Sequence, residues 1–368
     1  MTTYIAAGPS LADVGTSAAA ALGVPGFTDR LGIGPCRQVV VCLIDGLGWQ
    51  SLADHGTYAP RLSAMAGAPI RAVFPTTTPV GLGSLGTGLL PGAHGLVGAS
   101  FRYPETGEVL TPLHWGGDPV PVAVQPETTV FERVARAGIR MTSVSPAAYR
   151  DSGLTRAVLR GADYAPADDI DARVVAAAEL LKFGEPSYTY VYWPELDRVG
   201  HEFGVDSAAW RAALVRADTL VGRLLDALVP GSAMVVTADH GMVDCPADAR
   251  IAVDDDARLM AGVEQIAGEP RARHLYVRDG ATSDVQAAWQ SVLGERALVL
   301  TRAELVDGGY FGAVDDALLE RIGDVMAIAR GSTLLASRFD ATVSRLLGQH
   351  GGLTSAEVDI PALVQQVG

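Results

Sequence analysis

Two rhythms of apolar residues alternate along this chain. Val39 to Ile44, Met141 to Ser145, Tyr188 to Trp193 and the run opening at Ser232 are short and nearly continuous, the pattern of strands buried on both faces. Ile170 to Leu181 and Ala208 to Leu228 instead repeat apolar residues at helical spacing, and each precedes such a run. Ser10 to Leu22 is Ala-rich and helix-like, and Pro60 to Met65 reads as a short helix before Pro69 to Phe74 extends. Thr129 and Glu132 form a capping-box pattern opening a helix through Ala137, which Gly138 stops. Alternating strands and helices predict an α/β fold with a mostly parallel sheet flanked by helices. From about residue 250 the elements become shorter and mixed, including His274 to Val277 and Ala297 to Leu300. We therefore expect a core of residues 1–250 and 346–368, and a smaller inserted α+β subdomain, 251–345, that roofs the site.

Three of the apolar runs end in side chains able to hold a metal. Val39 to Ile44 leads to Asp45-Gly46, Tyr188 to Trp193 leads to Asp197 with His201 four residues on, and the Ser232 run closes in Asp239-His240-Gly241. Ligands of open α/β sheets sit at the carboxyl ends of the strands, so these residues can converge on one crevice. An Asp-Gly after a strand is equally ordinary turn chemistry, so Asp45 alone decides nothing. Carboxylate and imidazole donors without thiolate suit Zn, with Mn or Fe as alternatives. Phe74 to Gly88 adds three consecutive threonines ahead of a Gly-rich, helix-like turn. A hydroxyl at such a helix start meets unpaired N–H groups that favour a phosphate or sulfate; a threonine N-cap with glycines for close packing reads the same way.

Composition narrows the partners. The 368 residues are 48% apolar, enough for a large core, and the net charge is −14 with Lys182 as the sole lysine. Without a basic cluster, no polymeric nucleic-acid partner is expected, and small phosphate esters fit better. Cys36, Cys42 and Cys245 are an odd number at no zinc-like spacing, which argues against a disulfide framework. No run is apolar and long enough for a membrane span, the first residues lack a secretory pattern, and we expect a cytoplasmic protein.

Together these segments resemble the alkaline phosphatase superfamily, specifically its nucleotide pyrophosphatase/phosphodiesterase branch, and the resemblance implies an alkaline-phosphatase-like fold. The matching stretches are Val39 to Gly98, Tyr188 to Gly204, Met234 to Met242 and Gly348 to Pro361. The branch's Pro-Thr-x-Thr motif matches Pro75 to Thr78 and makes Thr78 the nucleophile. Its Asp-x-x-Gly-His matches Asp197, Gly200 and His201, its Asp-His-Gly matches Asp239 to Gly241, and its late His-Gly matches His350-Gly351. By resemblance, one divalent metal ion is held by Asp197, His201 and His350, and a second by Asp45, Asp239 and His240 near Thr78. The implied reaction is hydrolysis of a phosphodiester or pyrophosphate bond in a nucleotide-type substrate through a phosphothreonine. A phosphomonoesterase or phosphonate hydrolase is the nearest rival, followed by a metal-dependent mutase and an idle binding protein.

The match frays at the substrate. Where the branch usually carries Phe-Pro-Asn, this chain has Pro79, Val80 and Gly81. The expected substrate contacts are therefore Gly81, Trp115 and Tyr192, with Tyr149 and Trp193 as further aromatic candidates and Arg102, Arg198 and Arg273 as cations able to reach in. His94 reads as a loop stabiliser, and His55, His114 and His274 as surface or satisfied core residues.

Overall fold

The computed structural model describes residues 8–182 and 184–368. Its main strands are β1 (Gln38–Ile44), β2 (Ala66–Arg71), β3 (Arg140–Ser145), β4 (Asp163–Pro166), β5 (Ser187–Trp193), β6 (Ser232–Thr237), β7 (Val263–Glu269), β8 (Ala272–Val277), β9 (Ala297–Thr301), β10 (Val325–Ala329) and β11 (Asp359–Val367). Seven form the central sheet in the order β2-β11-β6-β1-β5-β3-β4. β11 is antiparallel to both its neighbours, while the remaining pairs are parallel. β1, β5 and β6 are buried at every position, which is why they read as unbroken apolar runs.

Register then places the chemistry. Ile44 lies beside Trp193 and Leu43 beside Thr237, so β1, β5 and β6 end level with one another. Asp45, the helix carrying Asp197, and Asp239 leave the sheet at one edge, as expected for a ligand crevice. Four helices frame that edge: α1 (Thr78–Thr87), α2 (Ile170–Leu181), α3 (Glu195–Phe203) and α4 (Ala208–Asp226). Strands β7, β8, β10 and β9 form an antiparallel sheet in that order. With a helix at Thr282–Leu293 they enclose a second apolar cluster around Trp289, which gives the expected α+β character.

A buried ion pair joins this second sheet to the crevice. Glu357 accepts from Arg271 through both carboxylate oxygens at 2.8 and 2.7 Å, and both side chains are fully buried. The same carboxylate accepts from the N–H groups of Gly352 at 2.8 Å and Thr354 at 3.1 Å, and the Glu357 carbonyl accepts from Gly241 at 2.9 Å. One residue thus fixes the loop after His350 and the loop after His240. Removing one partner of such a pair costs about 3–5 kcal/mol, because the other charge stays buried.

Candidate metal centre

The six expected ligands meet at this edge. Asp197 and His201 stand one helical turn apart on one face of α3, with His201 Nε2 3.4 Å from Asp197 Oδ2. His350 follows the short strand Gly348–Gln349, and its Nε2 lies 3.2 Å from His201 Nε2 and 3.8 Å from Asp197 Oδ1. His240 Nε2 is 3.5 Å from Asp45 Oδ1 and 3.5 Å from Asp239 Oδ2. Thr78 is the first residue of α1, and its Oγ1 lies 3.2 Å from His240 Nε2. Its neighbour Thr76 is engaged with the His350 loop instead, where its hydroxyl donates to Gly352 O at 2.9 Å and accepts from Gly351 N at 3.0 Å. Of the three threonines, Thr78 is the one beside the cluster.

Hydrogen bonding explains why these atoms suit cations. The Nδ1 atoms of His201, His240 and His350 each face a backbone carbonyl, Gly348 O at 2.7 Å, Gly241 O at 3.0 Å and Thr76 O at 2.9 Å. Donation there assigns the proton to Nδ1 and leaves the Nε2 lone pairs turned inward, the usual outer support of metal-bound histidine. Two such lone pairs at 3.2 Å repel unless a positive charge lies between them. Asp45 Oδ1, Asp197 Oδ1 and Asp239 Oδ2 are buried without a hydrogen-bond partner among the described residues. Burial, then repulsion by Asp239 and Asp197, pushes the Asp45 carboxyl well above its ordinary range, while the Tyr192 hydroxyl, which donates to Asp45 Oδ2, pulls it back. Burial, then the neighbouring His240 and His201, drives His350 well below its usual range, toward the neutral, ligating form. A cluster this costly fits divalent cations.

The donors divide into two groups that share a residue. Asp197, His201 and His350 form one; Asp45, Asp197 and His240 form the other. Asp239 adjoins the second group through Oδ2, while its Oδ1 accepts from Gly46 N at 3.3 Å and His240 N at 3.1 Å.

A cavity of about 1340 Å³ opens from the cluster and is lined by Asp45, Thr78, Tyr149, Tyr192, Trp193 and Arg198 among others. The substrate candidates fare differently within it. Tyr192 lines it and Tyr149 faces Tyr192 with ring centres 6.2 Å apart, so aromatic rings border the Asp/His cluster. Trp115 is not a lining residue: its ring packs on Gly153 and its indole N–H donates to Pro119 O at 2.9 Å. Gly81 is also outside the lining, turned toward Asp239, where a Cβ would stand 2.8 Å from the Asp239 Cβ. We expect Gly81→Ala to displace Asp239 and weaken metal binding by about 10- to 100-fold, read by competition with a chromogenic chelator; unchanged affinity would show that Asp239 holds no metal. Arg198 reaches the cavity, whereas Arg273 is buried against Asp340 and Arg102 lies over the Tyr276 ring.

The other histidines are placed largely as expected. His94 accepts from Leu96 N at 3.2 Å and faces Ser84 Oγ at 3.0 Å, and burial lowers it to about 3. His274 accepts from Gly323 N at 3.0 Å and donates to Val97 O at 3.1 Å. His55 pairs with Asp206 at the surface, and His114 borders the cavity.

Segment 251–345 contributes none of the residues that line this cavity. Besides Arg271 it supplies Glu269, whose side chain lies against Gly351 and near Thr77. Burial pushes the Glu269 carboxyl up to about 8, against the smaller pull of Thr77, the Ala99 backbone and Arg273. A raised acid binds its proton more tightly folded than unfolded, so stability is greatest below the unfolded value of 4.5 and falls until pH passes about 8. Glu269→Gln should flatten that fall in metal-free protein, measured by urea unfolding across this range; parallel curves for both proteins would refute it.

Residues 39–353 match the family described as type I phosphodiesterase / nucleotide pyrophosphatase. Among curated relatives, human ectonucleotide pyrophosphatase/phosphodiesterase family member 7 is 26% identical over 57% of this chain and 48% of its own length. A venom phosphodiesterase of Macrovipera lebetinus is 26% identical over 47% of this chain and 21% of its own. The chain thus spans less than half the length of either. The fold is shared with murine ectonucleotide pyrophosphatase / phosphodiesterase 5, solved as an inactive variant with AMP, at a TM-score of 0.71, 20% identity and coverage of 90% and 88% of the two chains. It is equally shared with phosphonoacetate hydrolase of Sinorhizobium meliloti 1021 bound to phosphonoformate, at a TM-score of 0.70, 21% identity and coverage of 90% and 91%. No described helix is long and apolar enough to cross a membrane.

Proposed function

Because this chain belongs to the type I phosphodiesterase / nucleotide pyrophosphatase family of the alkaline phosphatase superfamily, we propose that it is a two-metal hydrolase of phosphodiester or pyrophosphate bonds in small, nucleotide-type substrates. The observation carrying this reading is the Thr78 hydroxyl, held at a helix start 3.2 Å from His240 within a cluster of unpaired buried carboxylates and inward-facing imidazoles. Asp197, His201 and His350 would hold one ion; Asp45, His240 and Asp239 would hold the other, with Asp197 between them. Bound there, divalent ions, among which these ligands suit Zn, would lower the pKa of the Thr78 hydroxyl and offset charge on the attacking and leaving oxygens.

The chain's own groups do the rest. Thr78 Oγ forms a bond to phosphorus as the bond to the first leaving group breaks, and its proton goes to that departing oxygen, giving a phosphothreonine that still carries the substrate's other arm. Water then forms the new P–O bond as the Thr78 Oγ–P bond breaks, and two in-line displacements leave net retention at phosphorus. Tyr192, donating to Asp45, orients that carboxylate, and the positive end of the α1 dipole favours the anionic phosphoryl group. The three free cysteines, two of them buried, suit a reducing compartment such as the cytoplasm.

Matched chromogenic substrates, a phosphate monoester and a nucleotide-type phosphodiester, test the reading with and without chelator. Chelator-sensitive kcat/KM favouring the diester is expected. A preference for the monoester would move the function to a phosphatase, and activity on neither would direct the test to phosphonates.

A further inference from the structure

Arg173 is the exception among the cations that line the cavity. It is 1% exposed, yet among the described residues it pairs with no carboxylate. Its Nε donates to Tyr192 O at 3.1 Å, its Nη1 donates to Asp169 O at 3.2 Å, and its guanidinium lies 4.8 Å over the Trp193 ring. The second terminal nitrogen has no acceptor among the described residues. Trp193 borders the same cavity, and its indole N–H is buried without a partner there. Asp168 and Asp169 act on Arg173 only from a distance, without a hydrogen-bonded ion pair; a buried guanidinium held this way is costly, and an unmade indole hydrogen bond adds to that cost.

The surroundings leave Arg173 able to recognise a ligand. Arg216 is engaged by both oxygens of Glu195 at 3.1 Å, and Arg223 pairs with Asp171. Asp169 Oδ1 accepts from Ala172 N at 2.7 Å and Asp168 Oδ1 from Ala147 N at 2.9 Å, so neither carboxylate is committed to the arginine. Arg173 grips the carbonyl of Tyr192, whose hydroxyl donates to Asp45. One tyrosine therefore separates the guanidinium from the metal cluster.

Resting on the phosphodiesterase reading above, we infer that Arg173, with Trp193 beside it, forms a second anion subsite that selects substrates carrying a terminal carboxylate or phosphate on one arm of the scissile diester. The planar guanidinium supplies a charge-assisted donor suited to either oxyanion. In a chain of net charge −14, attraction of such an arm has to be local.

Three 4-nitrophenyl phosphodiesters test this, with second arms of equal length ending in methyl, carboxylate or phosphate. All release the same chromophore. Wild-type enzyme should favour an anionic arm by about tenfold in kcat/KM, carried by KM, and the better anion identifies the natural terminus. Arg173→Met should bring that ratio close to one, and Trp193→Phe, which keeps the ring and removes the N–H, should reduce it. Should the methionine variant not fold, Arg173→Lys serves, because it keeps a cation and loses the planar fork. No preference in the wild type, or an equal loss on all three esters, would overturn the subsite and leave Arg173 a purely structural clamp. If wild-type enzyme cleaves none of them, the phosphodiesterase reading fails. Calorimetric binding of the same esters to metal-loaded protein then decides the subsite: tighter anionic arms lost in Arg173→Met support it, and equal affinities refute it.

Discussion

Replacing Thr78 by alanine should lower kcat by roughly 10⁴-fold or more, the scale seen when a covalent nucleophile is removed, while leaving metal content unchanged. Thr78 is 6% exposed and its hydroxyl faces His240, but none of the unpaired carboxylate oxygens belongs to it. The loss should therefore fall on chemistry and spare the ligands. Thr78→Ser keeps the hydroxyl and should retain activity within about tenfold of wild type. Acid-quenched wild-type enzyme should carry the phosphoryl group, still esterified to the substrate's remaining arm, on the peptide containing Thr78, read by mass spectrometry, and the alanine variant none. Turnover surviving in Thr78→Ala would assign the attack to water and leave the threonine a helix-starting residue.

Much of this site was legible because its ligands follow strands that the sequence announces. β1, β5 and β6 are buried throughout, so Asp45, Asp197 and Asp239 stand out as polar residues at the ends of apolar runs. Two other strands of the sheet were not legible in the same way. β4 is half-exposed with no apolar run, and β11 is buried only from Ile360 to Leu363 before Gln365-Gln366, with Pro361 inside that run, a residue that reads against a strand paired on both sides. Contacts between distant segments were equally hidden. Arg271 and Glu357 are 86 positions apart, and neither residue alone signals a buried pair. A partial clue was present: Thr354 and Glu357 have capping-box spacing, and that box forms. Gly81 shows the converse, since reading it in the register of lost substrate contacts gave a pocket residue, whereas the fold presses it against Asp239.

Asp197→Asn should empty both metal positions together. The side chain belongs to both donor groups, and an amide keeps its shape while removing the charge and one acceptor. Gly46 supports this reading: with φ of +75°, it passes so close that a Cβ would lie 3.0 Å from the Asp197 Cβ, so the carboxylate is confined to one place. Activity should fall at least about a thousandfold, since the ions supply several kcal/mol of transition-state stabilisation. His350→Ala provides the contrast. His350 belongs only to the group with His201, and its loss should cost one ion and leave the other. Metal analysis after dialysis against limiting zinc separates the cases. Stability gives an independent check, because Asp197 is one of the charges that repel Asp45. Neutralising it should raise the Tm of metal-free protein above that of metal-free wild type, while lowering the gain in Tm on adding zinc. A variant that still binds one ion at full affinity would show that Asp239, and not Asp197, completes the set with Asp45 and His240.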